Sequence, residues 1–421
     1  MAIVALVIFA ATYVAIALTR LPFVKRVSRP AAAFAGAVAM VAFGVLSFDE
    51  AIGAVDWGTI GLLLGMMVVV AGLSRDGYLE RAASLTFGKA RGPLTLLVAV
   101  VVVTGVASAV LVNDTAVLVL TPLVVVAARA MRLSPVPFLI AEAMASNIGS
   151  VPSVVGNPQN VIVALQSGIA FERFALHLLP VTEASGMVLV AVIWWVFRKQ
   201  LRPTESSTES AQEQTTALTP SKRGLQPYAS PVVTVGVIAA FATSTWSGVG
   251  LPVIALIGGA VILLVNLPSA DGLLKRVDWS LLLFFAGLFV VMGGIIQQEF
   301  FTDFVESVRL GPDAAGVGWV HGTALVLSQV VSNVPFTVMM APVVAPQGSD
   351  LLWLSLASAA TLAGNLTLMG AVANLIVAQV AEKDGVHIGF REFAKAGVIV
   401  TVATMAMSWG LLVLQAETGW L

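Results

Sequence analysis

Runs of about twenty apolar residues, parted by short polar loops, decide what this chain can fold into. They recur at 2–18, 30–47, 57–73, 92–130, 137–168, 178–197, 228–247, 251–266, 279–297, 318–345, 351–380 and 392–415. A bilayer core about 30 Å thick takes roughly 20 apolar residues per helix, so there is room for about ten spans plus hairpins. Only 11% of residues are charged and 58% are apolar, against roughly a quarter charged in a soluble domain. A soluble enzyme is thereby excluded, and the bilayer is the expected solvent. The net charge of −1 gives no basic face for nucleic acid. With no cysteine, disulfides, thiolate metal sites and Fe–S clusters are absent. Neither a phosphate-binding GxxxxGK loop nor an HExxH or GxSxG motif occurs, so the chain is expected to transport rather than catalyse.

Positive charge in short loops stays cytoplasmic. One assignment puts nearly all basic residues there: Arg20, Lys25, Arg26 and Arg29; Arg75, Arg81, Lys89 and Arg91; Arg129 and Arg132; Arg198, Lys199, Arg202, Lys222 and Arg223; Lys275 and Arg276; Lys383, Arg391 and Lys395. Arg173 and Arg309 fall outside it. The N-terminus is then outside the cell and the first run is a retained helix, since a cleaved signal would carry its basic residues ahead of the apolar run. The pattern needs the regions 92–130 and 316–345 to leave and return on one side, as helical hairpins with polar tips at Asn113-Asp114-Thr115 and Ser332-Asn333. Irregular backbone at membrane depth survives only where protein buries it or water reaches it, so both tips are candidates for the solute path. The stretch 200–227, rich in Ser, Thr, Glu and Gln, reads as a flexible cytoplasmic linker.

The halves on either side of that linker repeat. Val55-Asp56-Trp57 and Val277-Asp278-Trp279 each open an apolar run, Gly65 and Gly72 match Gly287 and Gly294 at the same offset of 222, and Asn113 and Pro122 match Asn333 and Pro342 at 220. By the charge assignment Asp56 lies outside and Asp278 inside, so the repeats are inverted, a recurring build for secondary transporters. The expected organisation is an N-terminal helix and basic loop (1–29), a first repeat (30–199), the linker (200–227) and a second, inverted repeat (228–421).

Each repeat also carries a broken helix. The segment 141–165 holds Asn147, Gly149, Ser150, Pro152, Gly156, Asn157, Pro158 and Asn160; the segment 358–380 holds Gly364, Asn365, Thr367, Gly370 and Asn374. Proline and glycine there remove donors or relax the helix, leaving unpaired carbonyls and half-helix termini that suit ions. The asparagines must face protein or water; the plain alternative is interhelical hydrogen bonding. Among ionisable residues in apolar regions, Asp114 at the first tip is the expected proton-coupling group or cation ligand, with helix capping as the alternative. Glu142 is expected at the membrane interface and Glu183 facing the bundle. The three histidines, His177, His321 and His387, are expected in or near loops.

Residues 113–122, Asn-Asp-Thr-Ala-Val-Leu-Val-Leu-Thr-Pro, resemble the tip motif of the ArsB/NhaD permeases of the ion transporter superfamily, as do 331–342 and the Gly364, Asn365, Thr367, Gly370, Asn374 pattern. That resemblance, over about 30–415, implies a scaffold domain and a transport domain with two re-entrant hairpins. In the symporter branch a Ser-Asn-Thr tip contributes sodium and carboxylate sites; here the tips are Val112-Asn113-Asp114-Thr115 and Ser332-Asn333-Val334-Pro335, so sodium at the tips stays open. Gly156-Asn157-Pro158-Gln159-Asn160 instead looks like anion-permease-like members.

The expected protein is an all-α polytopic inner-membrane transporter of two inverted repeats, about five helices each, with no cofactor beyond a proton or sodium gradient. Its expected activity is arsenite- or antimonite-type efflux by exchange with protons. The alternatives are a sodium-coupled dicarboxylate or sulfate symporter, a sodium/proton antiporter, and the channel subunit of an ATP-driven pump. The family resemblance implies a soluble ATPase as partner in that last case, although the linker reads better as a tether. A homodimer is compatible with the sequence.

Overall fold

The computed structural model describes residues 1–18, 28–202, 229–308 and 310–421. Arg20, Lys25, Arg26, Arg309, and the linker from 203 on with Lys222 and Arg223, lie outside the described residues. Within the described residues the regular structure is helical, with no strand. Helix α1 (Ala2–Leu18) precedes a series that runs twice. The first pass is α2 (Arg29–Ala42), α3 (Phe48–Ala54), α4 (Trp57–Arg75), α5 (Tyr78–Phe87), α6 (Pro93–Val110), α7 (Asn113–Ala130), α8 (Val136–Ser150), α9 (Pro158–Ser167) and α10 (Phe171–Val196). Helix α11 (Ala229–Ala242) leads into the second pass. Here α12 (Leu251–Val265) and the short turn Ala270–Leu274 precede α13 (Trp279–Ile296), α14 (Glu299–Ser307), α15 (Ala314–Val331), α16 (Asn333–Val344), α17 (Asp350–Ala363), α18 (Val372–Lys383) and α19 (Phe390–Glu417).

Among the described residues 7 helices are long and apolar enough to cross a membrane, or 8 if the pair bent by 93° at Asn266 is one span. Val98, Val102 and Val106 leave α6 with an exposed apolar stripe, which only lipid or another apolar surface suits. The chain is a multi-pass membrane protein, as its apolar runs require.

Local chemistry sets the helix starts. Asp56 and Asp278 cap α4 and α13, accepting from Thr59 N and Leu281 N at 3.0 Å each. Proline occupies the first turn of α2, α6, α9 and α12, where its missing N–H costs nothing. Ser47 and Glu50 form a reciprocal capping box at α3. The Ser47 backbone N–H and hydroxyl together hold the Glu50 carboxyl below the usual carboxylate range.

The repeated glycines bring helices into contact across the two passes. A Cβ at Gly65 would overlap Ala255 and lie 2.6 Å from Leu256 N; at Gly287 it would lie 2.7 Å from the carbonyl carbon of Ala33 and 3.0 Å from Phe34 N. One turn or two further on, Gly72 faces Ile262 Cγ2 and Gly294 faces Met40 Sδ, each at 2.8 Å. Every partner pair keeps the offset of 222, so α4 packs on α12 as α13 packs on α2. Such mutual contact is what a two-fold relation between halves produces.

Two helices run through the interior. Pro137–Ser150 of α8 and Leu351–Ala363 of α17 are buried throughout. Glu142, expected at the interface, is therefore corrected to a fully buried position: it lies on the innermost helix of the first pass. Two histidines are also corrected, from loops to buried positions inside long helices. His177 on α10 lies 3.0 Å from Gln415 Oε1, and His321 on α15 lies 3.0 Å from Ser408 Oγ. Their apolar neighbours in sequence belong to the same spans.

Alanine at Gly65 or Gly287 must push backbone against backbone. Each substitution is expected to cost about 1–3 kcal/mol, read as a lower midpoint in a detergent thermal melt. Gly322→Ala, on α15 with nothing within 4 Å of the new methyl, should hold or raise it by about 0.5–1 kcal/mol.

Candidate functional site

The two expected hairpins are present as α6–α7 and α15–α16, and residues of both tips line one cavity. Leu111 and Val112 join the first pair; Ser332 alone joins the second. Ser332 has φ 86° and ψ 163°, a region that is essentially glycine's own and costs a serine about 1–3 kcal/mol. The short link thus turns α16 back at once and sets Asn333 at its first position. In the first tip Asn113 N donates to Gly156 O at 2.9 Å, fastening the tip to the break after α8.

Both tips line one cavity of about 380 Å³. Its buried side is made by Asn113, Ser332, Asn333, Pro158 and Gln159, with Asp114 half-buried beside them. Its rim is Arg29, Asp278, Ser280 and Gln379, of which the last three are exposed. Ala371, Val372, Leu375 and Phe284 complete an apolar wall. The volume falls in the range of small-molecule sites, and the lining has their usual mixture of apolar wall and few polar groups.

Behind the cavity lies a chain of amides. Asn147 on α8 donates both N–H bonds, to Asn365 Oδ1 at 2.8 Å and Asn374 Oδ1 at 3.1 Å, while its Oδ1 accepts from Asn113 Nδ2 at 3.3 Å. Three of the four hydrogen bonds open to an asparagine side chain are thereby made. Asn157 Nδ2 donates to Ser150 Oγ at 2.8 Å, and Gln159 Nε2 reaches Thr361 Oγ1 at 3.2 Å. The two helix breaks are therefore bonded to each other and to the first tip.

The carbonyls freed at the breaks are not left open, which corrects the expectation from proline and glycine alone. Asn160 Nδ2 donates to Ser150 O at 3.0 Å and Ser153 O at 2.9 Å, and Asn374 Nδ2 to Gly364 O at 2.9 Å and Thr367 O at 3.0 Å. The same ten- and seven-residue spacings recur, so 147–160 corresponds to 361–374. Gly156 and Gly370 make room for these turns: a Cβ would lie 2.8 Å from Ser150 O at the first and 3.0 Å from Thr367 O at the second.

Of the residues expected from sequence, Asn113, Asp114, Ser332 and Asn333 line the cavity. Asn147, Asn157, Asn160, Asn365 and Asn374 stand behind it in the amide network, with Ser150 as an acceptor. Gly149 lies against Gly105, joining α8 to α6. Thr367 donates to Gln329 Oε1 at 3.2 Å, and the Pro335 carbonyl accepts from Tyr13 Oη at 3.2 Å. Thr115 is half-buried in the first turn of α7. Sequence reasoning left out Arg29, Asp278, Ser280, Gln159 and Gln379. Arg29, expected in a basic loop, opens α2 and lines the cavity. The Asp repeated before each tryptophan and the Gln inside Asn157–Asn160 were the signals available for two of the others.

A sequence model described as citrate transporter, CitMHS, matches residues 6–359. The chain belongs to the citrate transporter family. This family lies in the ion transporter superfamily to which the tip motifs pointed, and its members are transporters, not enzymes. An uncharacterised transporter of Mycobacterium bovis is 32% identical over 97% of both chains. The silicon efflux transporter LSI3 of Oryza sativa subsp. japonica is 29% identical, over 86% of this chain and 87% of its own. The crystal structure of the Alcanivorax borkumensis YdaH transporter, which has an unusual topology, shares the fold: its TM-score is 0.63 at 13% identity, over 89% of this chain and 88% of that one.

Ser332→Gly should relieve the tip backbone. After glycine's own entropy cost of about 0.5–1 kcal/mol, a gain of roughly 1 kcal/mol remains, seen as a higher melting midpoint. A lower midpoint would mean that the serine side chain stabilises the tip.

Proposed function

We propose that this citrate transporter family member exports a small inorganic oxyacid of the arsenite, antimonite or silicate kind in exchange for protons, with Asp114 carrying the proton. The cavity between the tips carries the proposal. It places one half-buried carboxylate among buried amides, with Arg29 and Asp278 on the rim. A neutral polyhydroxide donates its O–H groups to the Asp114 carboxylate and to Asn333 Oδ1, a buried acceptor with no partner among the described residues. Amide N–H groups and Arg29 serve its oxygens. Proton and solute then compete for the same carboxylate, and competition for one site is what makes an exchanger. The silicon efflux named for the rice relative favours the same solute class.

The wider organisation follows from the same proposal. The reciprocal glycine contacts support two repeats, 30–199 and 228–421, and the basic loops support their inversion in an inner membrane, with the N-terminus outside. The cavity rim, at Arg29, Asp278 and Gln379, then faces the cytoplasm. The two tips would enter the membrane as re-entrant hairpins of a moving transport domain.

Asp114→Asn is expected to abolish proton-driven flux of arsenite or silicic acid in proteoliposomes while the protein stays monodisperse in detergent. Wild-type turnover with unchanged proton dependence in that variant would refute the coupling role.

A second reading has its own observation. Arg29 has no hydrogen bond or ion pair among the described residues, and a guanidinium in a cavity suits a carboxylate. On that reading the solute is citrate or another carboxylate, sodium or a proton neutralises Asp114, and Arg29 binds the anion. Citrate uptake that needs a sodium gradient and is lost in Arg29→Gln would favour it over oxyacid export.

A further inference from the structure

Glu142 is the one carboxyl on α8, and its side chain is wholly buried. It stands five residues before Asn147, about 7.5 Å along the helix, and it does not line the tip cavity. Its Oε1 lies 3.0 Å from Thr121 Oγ1, and its Oε2 has no hydrogen-bond partner among the described residues. Thr121 also lies 2.7 Å from Val117 O, the bond that a threonine makes to the preceding turn of its own helix. A hydroxyl has one proton. Spent on Val117 O, it turns a lone pair toward Glu142, and that contact is attractive only if the carboxyl itself donates.

Among the described residues no cation is paired with Glu142. Helix α6 carries no ionisable residue. On α7, Arg129 donates to the Asp384 carbonyl at 2.7 Å, and Asp114 lines the tip cavity. On α10, Arg173 pairs with Asp350, the first residue of α17, and His177 bonds Gln415. Glu172 accepts from Thr245, and Glu183 lines an apolar groove on the outer side of α6, α8 and α10. Glu382 and Lys383 end α18, and α5, packed on α7, adds Glu80 and Arg81. None of these forms a hydrogen bond or ion pair with Glu142 among the described residues.

The other half shows that packing does not need this pair. The positions matching Thr121 and Glu142 are Ala341 and Leu356, buried and apolar in the same helix contact. A buried carboxyl that its own twin replaces with leucine serves something besides the fold. We propose that Glu142 is a second proton-binding site, separate from the tip cavity, and that it holds its proton while α7 and α8 are packed together. No covalent chemistry is involved: the proton sits on Glu142 and is donated to Thr121 Oγ1. The proposal stands whatever the solute proves to be.

Infrared spectroscopy of the full chain in detergent at neutral pH reads this site directly. The expected result is a protonated-carboxyl stretching band that survives in Asp114→Asn and disappears in Glu142→Gln. In Thr121→Val the band should move to higher wavenumber as the carboxyl loses its acceptor. Should Glu142→Gln fold poorly, the double variant Thr121→Ala with Glu142→Leu copies the apolar pair of the other half and must lose the same band. A spectrum in which either Glu142 variant keeps the full band, or in which Asp114→Asn alone removes it, overturns the proposal.

Discussion

The amide of Asn147 is the contact on which the rest of the centre depends. Its three hydrogen bonds tie the first tip to both helix breaks, through Asn113, Asn365 and Asn374. Taken singly, such interhelical bonds contribute about 1 kcal/mol. Leaving a buried amide without partners costs about 2–7 kcal/mol, so removing one member also strands the groups that it satisfied. The consequence is that one buried side chain joins groups from both halves of the chain. That Asn374 also closes the carbonyls of its own break binds the internal order of each half to the contact between them.

The correspondence between positions in the two halves makes their differences informative. Glycine contacts, capping aspartates and break-closing asparagines all recur. Arg29, Asp114 and Glu142 do not: their counterparts are Leu251, Val334 and Leu356. The recurring contacts are structural, whereas the charged groups at Arg29, Asp114 and Glu142 belong to the first half alone. Both tips supply an asparagine to the cavity, yet its only ionisable tip residue comes from the first. The cavity therefore holds one tip carboxylate and no second-half counterpart to it.

Much of the fold was legible because membrane burial leaves coarse marks. Apolar run length located the helices, and a glycine at one offset in two runs marked a close approach that only glycine permits. Asp114 was legible because a lone carboxylate between apolar arms has no bland surface to occupy. Arg29 was not, since it follows other basic residues and reads as one more loop charge; only the fold carries α2 to the cavity. Glu142 was misplaced for a similar reason. It follows Arg129 and Arg132 by about a dozen residues, and nothing in the local pattern says that α8 is surrounded on every side. The closing role of Asn160 and Asn374 depends on a chain reversal between residues ten apart, which periodicity does not report.

The central claim is that tips from both halves share one solute cavity. The absence of native cysteine allows a clean measurement: single cysteines at Thr115→Cys, Val334→Cys and Ser280→Cys, which spare the proposed solute ligands, labelled in vesicles with a small thiol reagent, with and without arsenite, silicic acid or citrate in turn. One solute should slow labelling at the first-half and second-half tip positions together, and at Ser280 on the rim. A transported solute that protects one tip while leaving the other labelled at its unprotected rate would contradict a shared cavity.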